Sequence, residues 1–397
     1  MRLLRASFEQ QAMFKGGQAT IDLFAEDKVP AADGSVHCLT KPVYTNNVVA
    51  LAGINATGKS TLLGLLELAI NILSGKPIAS SVSNAAMLYR IRSGMRVRIV
   101  FEHGGKIFVL VSQIEMGTSS LAGVRHWKDA ISFGDETLFH WLGSKMPTKQ
   151  LLSDMDGLIG RCEVRLERAS MTESERTFLS HDVSIASSVS GRGSVCAYQS
   201  ALDVGEGLDV GFDGALETLQ VFDPGIERFE ILEDGRSCRV SFQSGFFANT
   251  TTDLLGMYLS SGTIKGLEIV RKAVGVLAQG GYLLVDEIEN HLNKQLVGVL
   301  IDLFQSSDTN PHGATLLFTT HYPEILDRVH RKDNVYFLSR RSEDHAIQVI
   351  KYSSRVKRIE NKKSEVFISN YIGGTAPSYT DVQALRALVR EAVSHEE

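Results

Sequence analysis

The stretch NVVALAGINATGKSTLLGLLELAI, from Asn47 to Ile70, constrains this chain more than any other. Its first part is β-branched and apolar and stops at a glycine, as a buried strand does, and its last part carries apolar residues at helical spacing. Between them Gly53, Gly58, Lys59 and Ser60 satisfy G-x-x-x-x-G-K-[ST]. Glycine at those two positions lets backbone N–H groups converge on phosphate oxygens with no Cβ in the way. The expected cradle is Gly53, Asn55, Ala56, Thr57, Gly58, Lys59, Ser60 and Thr61. Lys59 is expected to neutralise the β- and γ-phosphates, and the Ser60 hydroxyl to ligate Mg²⁺.

Two later stretches supply the chemistry that such a loop lacks. In YLLVDEIENHLN an apolar strand carries Asp286 to its end, where a carboxylate can hold the Mg²⁺ shell through water. Glu287 follows directly and can polarise the water that attacks a γ-phosphate. In ATLLFTTH another apolar strand ends at His321, beside the Asp286 strand on the edge where nucleotides bind in such sheets. His321 is therefore the candidate γ-phosphate sensor. A third motif, YLSSGTIKGLEIV, sets Ser260, Ser261 and Gly262 just before a helix, and on its own it reads as any N-cap.

The rest of the chain gives a mainly parallel α/β core, because strand and helix patterns alternate from Ile264 to His321. Strands are expected at Leu3–Phe8, Ala19–Phe24 and Asn47–Ala52. A hairpin of MRVRIVFEH and KIFVLVSQIE turns at Gly104-Gly105. From about Gly117 to Asn249 the pattern weakens. DETLFHWLGS and TKQLLSDMDGLIG read as helical, and SIASSVSGRGSV as a mobile loop. No sustained heptad occurs, so residues 116–250 read as a compact, mostly helical insertion between two parts of one domain, 1–115 and 251–352. Residues 353–397 add a basic stretch (RVKRIENKK), a glycine loop (YIGGTAPSY) and a last helix. That helix carries Val382, Leu385, Leu388, Val389 and Val393 on one stripe, expected to pack on the protein's own core, with docking of an effector as the alternative.

Bulk properties narrow the classes. A net charge of −5 argues against coating nucleic acid by bulk electrostatics, although a local basic groove stays open. No secretory signal and no run of about 18 apolar residues is present, and the four cysteines lack metal-ligand spacing. A cytoplasmic protein with reduced thiols and no membrane span is expected.

Taken in order, the phosphate loop, a long insertion, Ser260-Ser261-Gly262-Thr263, the Asp286-Glu287 strand and the His321 strand resemble the ABC-type ATPase family. The fold this implies is an ABC-type head, a mainly parallel sheet with flanking helices and an antiparallel β subdomain. The resemblance also implies a head-to-tail homodimer in which Ser260, Ser261 and Gly262 of one copy close over ATP held by the other. It places Glu289–Asn293 at the dimer seam and makes Gln113 a candidate Q-loop glutamine at the metal, an exposed glutamine without a role being the alternative. Within that family the LSSGT signature, the short insertion, Arg331-Lys332-Asp333-Asn334 and Tyr371–Pro377 look like the AAA-like, ABC-class ATPases of prokaryotic anti-phage and abortive-infection defence, related to overcoming-lysogenisation-defect ATPases. Many relatives carry Leu-His-Pro where this chain has Asn290-His291-Leu292-Asn293, a departure that bears on the seam contacts.

That resemblance implies a slow or partner-regulated ATPase of a two-component, PARIS-like system. It would assemble as dimers or larger oligomers and control a separate effector, a nuclease or toxin, in response to a phage trigger protein. The competing reading is a DNA-maintenance ATPase similar to RecF, acting directly on nucleic acid. A transporter motor is disfavoured by the signature and the tail.

Overall fold

The computed structural model describes residues 1–30, 33–78, 91–116, 131–190, 196–199, 212–290, 292–341, 343–356, 361–373 and 379–394. In chain order the strands are β1 (Arg2–Glu9), β2 (Gln18–Asp22), β3 (Val36–Thr40), β4 (Val43–Asn46), β5 (Val48–Ala52), β6 (Met95–His103), β7 (Lys106–Met116), β8 (Ile131–Trp141), β9 (Cys162–Glu167), β10 (Cys196–Gln199), β11 (Ile226–Ile231), β12 (Ser237–Phe242), β13 (Phe247–Thr251), β14 (Tyr282–Val285), β15 (Thr315–Thr320), β16 (Val335–Arg340) and β17 (Ile347–Lys351). The helices are α1 (Lys59–Leu73), α2 (Lys149–Ser153), α3 (Met155–Ile159), α4 (Glu173–Phe178), α5 (Ser187–Ser190), α6 (Ala215–Phe222), α7 (Ser261–Gln279), α8 (Lys294–Gln305), α9 (Tyr352–Arg355), α10 (Lys363–Ile368) and α11 (Tyr379–Ser394).

Two six-stranded sheets with flanking helices make a mixed α/β structure. The first has the order β10-β14-β15-β5-β16-β17 and is parallel except for β17. Its central strands VVALA, YLLV and TLLFTT are buried at every residue, which is why they read as unbroken apolar runs rather than alternations. Because β5, β14 and β15 run parallel, their C-terminal ends share one edge of the sheet. That edge receives the phosphate loop, Asp286-Glu287 and His321.

Helix α1 explains how the second sheet attaches. Fourteen of its fifteen residues are buried, and a mostly apolar helix with no exposed face has to be enclosed on both sides. Its core neighbours are Val49, Leu284 and Leu317 of the parallel sheet and Ala6, Phe8, Val97, Ile99 and Leu110 of the antiparallel one, β2-β1-β6-β7-β8-β9. Two tyrosines of the parallel sheet reach the same partner. The Tyr282 hydroxyl accepts from the Leu3 N–H (2.7 Å), and the Tyr336 hydroxyl donates to the Asp22 carbonyl (2.9 Å). On the other face of the parallel sheet, Ala50, Leu283, Leu316 and Phe318 pack on α8, α10 and the C-terminal half of α7.

The insertion departs from expectation. DETLFHWLGS is not helical but supplies most of β8. Its buried positions are Ile131, Phe133, Glu136 and Leu138, so the two-residue alternation slips at Gly134-Asp135. There β8 spends Phe133 to Glu136 against Ser112 to Ile114 of β7, which is a β-bulge. The inward position after the bulge holds a carboxylate, saturated by Ser112 Oγ (2.8 Å), Ser184 Oγ (2.7 Å), the Ile185 N–H (3.1 Å) and Arg168 Nε (2.7 Å). A slipped period and an inward acid together conceal the strand.

Nor is 116–250 mostly helical or a single unit. Its described helices are short, and its strands go to three places. β8 and β9 extend the antiparallel sheet, β10 edges the parallel one, and β11-β12-β13 form a small sheet with a separate core around Leu219, Val240 and Leu267. TKQLLSDMDGLIG does form helices, α2 and α3, N-capped by Thr148 and Asp154. They cover the outer face of the antiparallel sheet through Leu152, Met155 and Leu158. Of SIASSVSGRGSV, Ser187–Ser190 form α5 rather than a loop, and residues 191–195 lie outside the described residues.

The C-terminal stripe also differs from expectation. Val382, Leu385, Leu388, Val389 and Val393 are exposed on α11, not packed on the core. Parts of the basic stretch (357–360) and of the glycine loop (374–378) lie outside the described residues. Among the described residues no helix is long and apolar enough to cross a membrane.

Candidate functional site

The phosphate loop is shaped by steric and backbone constraints that its residue types meet. A Cβ at Gly53 would lie 2.5 Å from the Leu338 carbonyl oxygen and 2.6 Å from Thr57 Oγ1, so glycine alone fits there. Ala56 (φ 61°) and Gly58 (φ 82°) take left-handed conformations that curl the loop toward α1. Thr57 Oγ1 donates to the Ile54 carbonyl (2.7 Å). Gly58, the N-cap of α1, brings no side chain to cap the first-turn N–H groups, which leaves them for an anion.

Lys59 bends back over the loop, its Nζ donating to the carbonyls of Gly53 (2.8 Å) and Ile54 (3.0 Å). Burial pushes its pKa down, while the fields of Glu287, Glu289 and Asp286 oppose that shift. One buried cation thus faces three carboxylates. Arg340, at the end of β16, latches the loop from outside by donating from Nε to the Ala56 carbonyl (2.7 Å).

The acid strand meets the loop directly. Ser60 Oγ donates to Asp286 Oδ1 (3.0 Å), joining residues 226 positions apart, and Thr319 Oγ1 donates to the same oxygen (2.6 Å). Thr319 Oγ1 in turn accepts from the Glu287 N–H (2.7 Å). Glu287 sits at φ 50°, a left-handed conformation that costs a non-glycine residue about 1–3 kcal/mol and is held here by its neighbours. His321 follows β15, and its N–H donates to Glu289 Oε1 (2.8 Å).

The donor set suits a hard divalent cation, since Ser60 and Asp286 offer oxygen only. Among the described residues no group of three or more His, Cys, Asp or Glu is gathered for a metal. A cation held by Ser60 and Asp286 would take its other ligands from substrate oxygens and water, as Mg²⁺ commonly does. The oxygen donors therefore fit Mg²⁺.

Not every expected residue converges. Gln113 stands opposite the β8 bulge, and among the described residues its side chain donates to Glu115 of its own strand, at 3.5 Å. No hydrogen bond brings it to Ser60 or Asp286. Ser260 N-caps α7 by accepting from the Thr263 N–H (3.0 Å), with Ser260 and Ser261 exposed and Gly262 partly so. That helix start packs with β11-β13, away from the phosphate loop's own strand. Glu289, expected at a subunit seam, is buried and turned inward onto His321. His291 lies outside the described residues.

Thr319 and Arg340 are site residues that the sequence reading passed over. Each had one available signal, its place at the end of a strand neighbouring β5 or β14. The chain matches no family model and no curated protein.

Proposed function

We propose that this protein is an ATP-binding and ATP-hydrolysing switch with the architecture of an ABC-type ATPase head. The observation that carries this reading is the Ser60–Asp286 contact (3.0 Å), which couples the cradle to the acid strand beneath an uncapped helix start. The α1 N–H groups and Lys59 bind the phosphates, and Lys59 leaves its two loop carbonyls to do so. Mg²⁺, when bound by Ser60 and Asp286, would supply charge neutralisation to the β- and γ-phosphates. Glu287 orients and polarises the attacking water, and His321 contacts the terminal phosphate.

In the same reading the exposed Ser260, Ser261 and Gly262 act in trans. They close over the phosphates of a second copy, so that the switch is a homodimer with two-fold symmetry. The role we infer is in bacterial anti-phage defence, with a separate nuclease or toxin as effector and a phage protein as trigger. That role is supported by the sequence resemblance alone. Its test is co-purification with the products of neighbouring genes and phage challenge of cells carrying Glu287→Gln. A stable partner and lost protection are expected; no partner and unchanged protection would overturn it.

The dimer is tested by light scattering of Glu287→Gln with ATP and Mg²⁺. The mass is expected to rise from 43.5 kDa to twice that, and the rise to vanish in Ser260→Arg. A mass that does not respond to nucleotide would contradict it.

One observation favours direct nucleic-acid contact as a second reading. A groove of about 610 Å³ between the sheet edges β2 and β17 is lined by Arg5, Lys15, Lys351 and Arg355. Arg5 and Lys351 are already paired with Asp22 and Glu26. DNA affinity that falls steeply with salt and is lost in Lys15→Glu/Arg355→Glu would support it, whereas affinity unchanged by that double substitution would not.

A further inference from the structure

We propose that Glu289 is a positioning residue for His321, holding ring atom Nδ1 so that Nε2 is the nitrogen presented to the terminal phosphate. This inference rests on the nucleotide site proposed above.

The Glu289 side chain is 4% exposed, and a carboxylate that deep needs partners. Oε1 has one in the His321 N–H (2.8 Å), and His321 Nδ1 lies 2.6 Å from the same oxygen. That second contact is close without being aligned as a hydrogen bond. Nδ1 and Glu289 Oε2 both lack a hydrogen-bond partner among the described residues. Nδ1, without an aligned bond yet 2.6 Å from a carboxylate oxygen, marks an interaction that a turn of the imidazole completes. Catalytic hydrogen bonds commonly tighten in this way only when substrate binds.

The geometry gives the contact a consequence. An imidazole whose Nδ1–H is held by a carboxylate has its ring plane fixed, and its Nε2, once it too carries a proton, meets a phosphate oxygen as a donor. The Tyr322 ring, edge-on at 4.4 Å, limits the ring's swing on another side. Glu289 also stands three residues after Asp286 and two after Glu287, and its field reaches Lys59. It therefore links the acid loop to the sensor strand, so that a displacement of residues 287–290 moves His321 with it.

The experiment uses the full chain with selectively ¹⁵N-labelled histidine, the His321 signals being assigned by their loss in His321→Asn. Wild type is expected to show His321 protonated at Nδ1 in the nucleotide-free state and, more fully, with ADP and Mg²⁺. A dominant Nε2–H tautomer in wild type would overturn the proposal, whatever any variant does. Steady-state kinetics provide the second arm. Glu289→Met, which removes both acceptor oxygens, is expected to lower kcat by about ten- to hundredfold with KM little changed. Glu289→Gln, which keeps one acceptor oxygen, should recover most of that rate. Equal rates in Glu289→Met and wild type would also overturn it. If wild type neither binds nor hydrolyses ATP, the nucleotide reading fails, and the tautomer measurement still decides whether Glu289 orients His321.

Discussion

Asp333 and Arg331 show how much a buried ion pair can be asked to do. Arg331 grips Asp333 through Nε (2.9 Å) and Nη2 (2.7 Å), and Nη1 reaches Asp33 (3.1 Å). The Asp27 N–H donates to the same Asp333 carboxylate (2.8 Å). The pair thus pins the segment before β3 to the start of β16. Burial alone would raise the Asp333 pKa, but the Arg331 guanidinium outweighs it and the net direction is down. A depressed folded value means stability that is present above the ordinary aspartate pKa and lost as pH falls from there, from about 4 downward. Asp333→Asn leaves Arg331 buried without its main partner and should cost about 3–5 kcal/mol. Chemical denaturation of wild type and variant checks both statements: the gap between them should narrow on acidification, and a gap independent of pH would contradict the assignment. At the proposed nucleotide site, Lys59→Ala should weaken ATP binding by about a hundredfold or more and also lower the thermal midpoint, because the buried Asp286 and Glu289 lose the cation whose field reaches them. Titration calorimetry decides it.

Elements differ in how openly the sequence declares them. β5, α1, the β6–β7 hairpin, β14, α8 and β15 were legible because a single force dominates each one. That force is burial on both faces for the strands, enclosure for α1, and alternation with a Gly-Gly turn for the hairpin. The tight loop before α1 and the place of Asp286 at the end of β14 were legible for a related reason, since loop sterics and strand ends write themselves in glycines and apolar runs. β8 was not legible, because the Gly134-Asp135 bulge resets its period and Glu136 fills a position where an apolar residue is expected. Thr319, Arg340 and the inward turn of Glu289 depend on which strands lie side by side, and no local pattern carries that. Glu136 makes a test at this scale. Glu136→Val removes four hydrogen-bond acceptor contacts and strands Arg168, so a loss of about 3–5 kcal/mol is expected. A loss below about 1 kcal/mol would mean that the segment from Ser184 to Ser190 does not depend on that carboxylate.

At the scale of the whole molecule, the parallel sheet gathers the cradle, the acid pair and His321 onto one edge. The Ser260 helix start is meanwhile carried by a small sheet with its own core. α7 spans both cores, with Leu267 in the small one and Ile269, Ala273 and Val276 in the large one. A rotation of the small sheet would therefore be passed to β14 along one helix, a route by which the proposed closure over a second copy would reach the acid strand. Hydrolysis at the Ser60–Asp286–Glu287 edge is the central claim, and release of phosphate from ATP by purified wild type and Glu287→Gln tests it most directly. The account predicts Mg²⁺-dependent release by wild type and a fall of at least about a hundredfold in Glu287→Gln, with ATP still bound. Equal release by the two proteins, or no release and no ATP binding by wild type with Mg²⁺ present, would contradict it.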